Sequence, residues 1–444
     1  MVFVFQGRAG ADGFPYVIND FKFYPTPGIP RPEKGIPYKD PVFHTEIVRI
    51  TDRVTDGQGK YRYCQPGYPK HDIENADGTI LLVQSNFGSG FCFWEANPPY
   101  RKLGCIPSSY IGWKRPLDMR WDNKDPHVVY FNMHGKFWKY TITFDENGQM
   151  TDGIMEALHD WQEDIDKYFS GLNITGFSMC EEGDASDDRR YWAWPAFAHD
   201  PTHSPQWWRT AMIVYDKDYS GKEQGKVVSI LKEGEPAFYP PGFISMSPSG
   251  KYVWTGDAHK LYTRDLVYLR DLKVKWGHAD MAINAGGMEV VAGFAKVPKT
   301  GKTVAAMEDL ETGEVTYLAA VPAAAHHVSG NSHLRPGWAV YSTYTPSYPN
   351  LPTEWRQHEV YMVELTKRTD PPPKVWRLAH THTVRKEYVD DPFAKVNRRG
   401  TKVWFGSGWG CSYADEGCEL YVYQINLPST WYEDLSQVDV KIRH

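Results

Sequence analysis

Apolar and polar residues alternate along most of the chain in runs of strand length, separated by tight turns rich in Gly, Asp and Asn. A unit of short strand, polar turn and apolar or aromatic strand recurs. Its copies are HDIENADGTILLVQSN, LDMRWDNKDPHVVYFNM, GFSMCEEGDASDDRRYWAWPAF, FISMSPSGKYVWTGD, HADMAINAGGMEVVAGF, HVSGNSHLRPGWAVYSTY and FAKVNRRGTKVWFGSGWG. The turns centre near Gly78, Asp125, Asp188, Gly250, Gly287, Gly337 and Gly400. Several units continue into two more strands, as in KFWKYTITF, HEVYMVELT and KVWRLAH. Four strands repeated every ~40–60 residues mark the blades of a propeller. The expectation is all-β: one seven-bladed β-propeller over residues 43–428. Its last blade has only three strands, and HTEIVRIT near the start supplies the missing outer strand. Ring closure of this kind removes exposed sheet edges.

Three segments depart from the repeat. Residues 1–42 hold Pro15, Pro25, Pro27, Pro30, Pro32, Pro37 and Pro41, a density that excludes helix and predicts an extended Pro-rich arm. In DGIMEALHDWQEDIDKYFSGL, apolar residues recur every three or four positions behind Asp152. This predicts a short helical insert near 152–170, between blades two and three. Residues 429–444 read as a C-terminal tail.

The chain has 444 residues, so the repeat replaces the several domains that length alone suggests. Aromatics reach 15% with 17 Trp, as core filler, as platforms for sugar rings, or both. No run approaches the ~20 apolar residues of a membrane helix. A net charge of −6 lacks the basic field of a nucleic-acid binder. Neither nucleic acid nor membrane is an expected partner, and an oligomer is open. Cys411 and Cys418 flank one loop, and Cys92 and Cys105 another. Disulfides there predict a secreted or periplasmic protein. No signal peptide is visible at Met1, which implies a processed start or, with free thiols, a cytoplasmic protein.

In a closed ring, residues at the starts of the inner strands meet at one mouth of the central channel. Those positions hold His71 and Asp72, Asp118 and Arg120, Ser178, Ser245, His278 and Asp280, His326 and His327, and Asp390 and Asp391. Histidine and aspartate supply acids, bases and metal ligands. The expected catalytic residues are His278, His327 and Arg120. His71 and Asp118 face them across the ring and bind substrate. Trp207, Trp208 and Arg209, in HSPQWWR, suit stacking on a sugar and holding a carboxylate. A metal site would use His278, Asp280, His327 and Asp391, a set better matched to Mn, Zn or Fe than to Ca. His380 and His382 have ligand spacing on a strand, against the alternative of an exposed pair. EEGDASDDRR reads as a solvated hairpin tip. Nucleotide loops, the G-x-S-x-G elbow and HExxH are absent.

TEIVRIT followed by KYRYCQPGYPKHDIENADGTILLVQS resembles the opening of the oligogalacturonate lyases. DDPFAKVNRRGTKVWFGSGWG followed by ELYVYQINL is similar to their last blade. The resemblance covers much of residues 43–428 as architecture and is specific in those two blocks. It implies a seven-bladed propeller that cleaves an acidic polysaccharide or oligosaccharide by β-elimination, with a divalent metal at the channel mouth. The family's metal box has a Gln and two His before the last inner strand. Here that stretch is Tyr388, Val389, Asp390, Asp391, Pro392 and Phe393, without the histidines. The family's catalytic arginine matches no particular position. Two other readings stay open: a non-catalytic glycan-, protein-binding or assembly propeller, and a glycoside hydrolase with a carboxylate pair drawn from Asp118, Asp280 and Asp391.

Overall fold

A computed structural model describes residues 16–57, 59, 62–85, 90–112, 116–220, 224–320, 325–344, 355 and 357–437. Seven antiparallel sheets form the blades of a propeller. In the first six the chain crosses four strands in sequence order. Their first strands, Cys64–Gln65, Leu117–Trp121, Ile174–Phe177, Ile244–Met246, Asp280–Ile283 and Ala325–Ser329, line the channel. The predicted turns follow these strands, and the glycines at 78, 250, 287, 337 and 400 all have positive φ, where a side chain would be strained.

Blade 7 closes the ring. Lys395–Val396, Lys402–Ser407 and Tyr421–Asn426 come from the C-terminal end, and Glu46–Arg49 pairs onto Tyr421–Asn426 as the outer strand. Ile47 faces Ile425 and Val48 faces Gln424, as the unmatched strand in HTEIVRIT predicts. Tyr38–Lys39 adds a further short strand outside it. The described part of the arm first crosses blade 6. There Asn19 N–H donates to Val375 O, and Arg377 N–H donates to Val17 O. The arm therefore covers the edge of one blade and extends the sheet of the next. Residues 1–15 of the predicted arm lie outside the described residues.

Apolar clusters between blades make the core. Between blades 2 and 3, Phe137 packs among Trp192, Trp194 and Tyr215. Between blades 6 and 7, Val340, Met362, Trp376, Val403 and Phe405 meet. Ten tryptophans are essentially inaccessible, so most of the aromatic surplus fills the core.

The predicted helical insert is half strand. Ile154–Asp160 is the outer strand of blade 2, with Met155 opposite Tyr140 and Ala157 opposite Trp138. The helix is Trp161–Tyr168, and Asp160, not Asp152, caps it by accepting from Gln162 N–H. Pairing with an exposed sheet edge overrides the helical spacing of Met155 and Leu158. At the other end, Trp431–Gln437 turns part of the predicted tail into a helix. Trp431 is buried between Trp338 and Trp376 and donates its indole N–H to Gly400 O. Residues 438–444 of the tail lie outside the described residues. Both expected disulfides are present, Cys92–Cys105 and Cys411–Cys418. No described helix is long and apolar enough to cross a membrane.

Candidate active site at the channel mouth

The channel has a floor, a middle and a mouth. The floor sits at the turns after the inner strands. Arg398 of blade 7 holds Asp187 of blade 3 through Nε at 2.9 Å and Nη2 at 2.5 Å. His333 of blade 6 adds Nδ1 to the same carboxylate at 2.9 Å. These partners hold Asp187 well below the usual carboxylate range against its burial, and His333 is raised by Asp187. The cluster ties three blades across the axis.

In the middle, Asp184 accepts from Arg120 Nε at 3.1 Å and from Arg189 Nη1 at 2.8 Å. Lys395 donates to Tyr68 O and lies beside His71. Gly67, at φ +79°, leaves room for both: a Cβ there would stand 3.2 Å from His71 Cε1 and 3.6 Å from Lys395 Nζ. Burial, then the Lys395 charge, pushes His71 well below its ordinary value. Burial raises Asp72 to about 7.

The mouth opens where each blade hands the chain to the next. His278 Nδ1 lies 2.9 Å from the Tyr68 hydroxyl. The His278 and His327 rings are 4.6 Å apart, and His327 Nε2 lies 3.2 Å from Asp391 Oδ2. Arg385 Nε binds the other oxygen of Asp391, and its guanidinium covers the Tyr344 ring at 4.7 Å. Lys70 Nζ lies 3.4 Å from Glu182 and 3.7 Å from the centre of the Phe243 ring. Burial lowers His278 and, with the neighbouring His278, holds His327 far below its usual value, so both imidazoles are neutral near pH 7. Burial raises Asp391 to about 6 even with Arg385 beside it.

Of the sequence candidates, His278, His327 and Asp391 meet here. Four others do not. Arg120 is fully buried, with Nη1 on Met119 O and Nη2 on Gly183 O, so it supports the channel wall and does not reach the mouth. His71 lies in the middle. Asp118 accepts from Met179 N–H at 2.6 Å and Glu181 N–H at 3.1 Å. Asp280 accepts from Gly330 N–H at 2.8 Å and from Met281 N–H. Each of these two carboxylates fastens its blade to the next, which also removes them as a hydrolase pair. Trp207, Trp208 and Arg209 stand on the rim. The second and third strands of blade 3, Tyr191–His199 and Trp207–Ser220, form a long hairpin. Trp207 packs on His199 and is 56% exposed, and Trp208 stacks on His203. Arg209 reaches back to Gly242 O and Cys180 Sγ. His380 and His382 are buried, against Phe43 and Trp409.

The sequence reading missed Tyr68, Lys70, Glu182 and Arg385. Pro66, Gly67 and Pro69 break the first inner strand after Gln65, so Tyr68 and Lys70 carry no strand signal. The EEGDASDDRR run is no solvated tip. It descends the channel wall from Glu182 at the mouth to Asp187 at the floor. Arg385 lies in the connector before the last inner strand, outside the repeat.

Two neutral imidazoles at the mouth, His278 and His327, could ligate a divalent cation, and His327 Nδ1 is buried without a hydrogen-bond partner. Among the described residues no three His, Cys, Asp or Glu side chains are grouped to hold one. Asp391 has one oxygen on Arg385 and the other on His327, and His278 spends Nδ1 on Tyr68. Lys70 and Arg385 already supply positive charge, which opposes a second cation.

No protein-family model and no curated protein matches the chain. Solved structures do. An oligogalacturonate lyase from Vibrio parahaemolyticus superposes with a TM-score of 0.55 at 12% identity, covering 89% of this chain and 97% of the lyase. An oligogalacturonate lyase in complex with manganese superposes with a TM-score of 0.56 at 14% identity, covering 89% and 96%. The fold is thus the seven-bladed propeller that these lyases share.

Proposed function

We propose that the channel mouth binds the uronate residues of an acidic oligosaccharide and cleaves the chain by β-elimination. The observation that carries this reading is the hydrogen-bonded His278–Tyr68 pair, set beside His327 and Asp391 and flanked by Lys70 and Arg385. Elimination requires a base for the proton α to the carboxylate and an acid for the leaving oxygen. With Nδ1–H donated to Tyr68, neutral His278 presents Nε2 as the base. The C5–H bond breaks, its electron pair forms the C4=C5 double bond, and the C4–O bond breaks. The departing oxygen takes the Tyr68 proton. His278, now protonated, returns its Nδ1 proton to Tyr68, and solvent exchange restores the starting tautomer. Asp391 orients His327 and Arg385 at the edge of the site. Trp207, Trp208 and Arg209 extend the binding surface along the rim for sugars further along the chain. The two disulfides favour action outside the cytoplasm.

The similarity to oligogalacturonate lyases supports galacturonate as the first substrate to try. Wild-type protein incubated with oligogalacturonate should generate the ultraviolet absorbance of an unsaturated uronide, and neutral oligosaccharides should give none. Tight binding of the same oligosaccharide without that absorbance would replace the lyase reading with a glycan-binding propeller.

A further inference from the structure

Blade 3 has the longest hairpin among the described residues, with nine residues in Tyr191–His199 and fourteen in Trp207–Ser220. The chain passes through Ile174–Phe177 before it reaches Glu182 at the mouth and Asp187 at the floor. The strand ends paired with Ile174, at Ala198 and Trp208, therefore rise above the mouth as a wall. Register puts Phe197 opposite Arg209 and His199 opposite Trp207. Residues two apart on a strand share a face, so Arg209 and Trp207 line one side of the wall, about 7 Å apart. That side adjoins the mouth. Arg209 Nη2 donates to Gly242 O at 2.8 Å and lies 3.8 Å from Cys180 Sγ. Gly242 precedes Phe243, over whose ring Lys70 lies, and Cys180 stands two residues before Glu182, the partner of Lys70. The Arg209 guanidinium covers the Phe197 ring at 5.3 Å and has no carboxylate within ion-pair distance among the described residues. Its Nη1 makes no hydrogen bond there, its Nε is buried without one, and the side chain as a whole is half-buried. A half-buried cation without a counter-ion favours an anion beside it. Trp207 rests one side on His199, with ring centres 4.2 Å apart, and is 56% exposed. On the alternate face Trp208 stacks on His203 and donates its indole N–H to Glu233 at 2.9 Å, which holds the end of the hairpin.

We propose that Arg209 and Trp207 form a second uronate subsite, which makes the protein select long acidic chains over short ones. Arg209 binds a carboxylate, and Trp207 binds the ring face of a sugar beyond the two that flank the cleaved bond. The inference rests on the uronate reading above and adds a chain-length preference to it. Every sugar of such a chain carries one carboxylate and one apolar ring face. An arginine followed by a tryptophan up the wall matches successive sugars. A disaccharide fills only the two positions at the mouth and gains little from either group. Each added sugar reaches further along the hairpin. Binding energy taken up there holds the reacting sugars in register below.

The test compares kcat/KM for unsaturated uronide formation from digalacturonate and hexagalacturonate, with added manganese and with chelator. Wild type, Arg209→Gln, Arg209→Lys, Trp207→Ala and Trp207→Phe are assayed. Melting curves accompany each variant, because Arg209 also ties blade 3 to Gly242 ahead of blade 4. If the wild type binds these chains without cleaving them, calorimetric dissociation constants give the same hexamer-to-dimer ratio. Wild type should favour the hexamer by about tenfold or more, the range for one charged hydrogen bond. Arg209→Gln and Trp207→Ala should each cut that ratio about tenfold, and Arg209→Lys and Trp207→Phe should cut it by less. A wild type that treats the two lengths alike overturns the proposal. So does an unchanged ratio in folded Arg209→Gln or folded Trp207→Ala. Both outcomes leave the uronate reading standing. Failure of the wild type to bind or cleave either chain, with or without manganese, overturns the uronate reading itself, and this proposal with it.

Discussion

His278 and Asp280 are two residues apart and do different work. His278 precedes its inner strand and reaches the mouth, while Asp280 lies inside the strand and accepts Gly330 N–H from the next blade. Asp118 repeats that fastening between blades 2 and 3. In blades 2 and 5 an Asp at this point of the repeat therefore joins its blade to the next. The depressed His278 makes a prediction about rate. A base must be deprotonated, so activity should rise with pH to a plateau whose midpoint lies below 6.5. A midpoint above 6.5 would remove His278 as the base. Asp72 carries a stability prediction. Its folded value of about 7 exceeds the ordinary carboxyl value of 3.8, so the fold binds the extra proton between those values. Its contribution to stability falls as pH rises through that window and is constant above it. Asp72→Asn lacks the term, so its melting temperature relative to wild type should climb between pH 5 and pH 8. A difference that stays flat over that range would contradict the burial account of Asp72.

At the scale of elements, the hairpins and their turn glycines were readable because a positive-φ turn between alternating strands leaves a strong local pattern. The insert misled because Met155 and Leu158 satisfy a helical period as well as a strand period, and the free edge at Lys136–Thr141 decides between them. The mouth was half readable. His278, His327 and Asp391 follow from strand starts, whereas Tyr68 and Lys70 sit where prolines interrupt the strand, and Arg385 belongs to a connector with no repeat to mark it. The Cys92–Cys105 bond crosses the two outer strands of blade 1, where the cysteines face each other in register. A closed loop of that length is worth about 3 kcal/mol through the unfolded chain. Replacing both cysteines with Ser should lower unfolding stability by roughly that amount in denaturant titration, and an unchanged midpoint would mean that the sheet alone holds the edge.

For the whole molecule, ring closure depends on a strand from one end of the chain and three from the other. Ile47 is fully buried in the cluster with Val403, Phe405 and Ile425. Ile47→Ala should cost about 2–5 kcal/mol, and the loss should appear as cooperative unfolding of the entire ring because the outer strand that closes blade 7 detaches first. The closed ring matters for function as well. It brings Tyr68 of blade 1 onto His278 of blade 5, and Asp391 of blade 7 onto His327 of blade 6. In the proposed reaction the assembled His278–Tyr68 pair performs the elimination. The most direct measurement is the rate at which unsaturated uronide forms from oligogalacturonate with wild type, His278→Ala and Tyr68→Phe, each checked by its melting temperature. Wild type should be active, and both variants should fall by about a hundredfold or more while remaining folded. Full activity in a folded His278→Ala, or no product from wild type on any uronate, would rule out elimination by this pair.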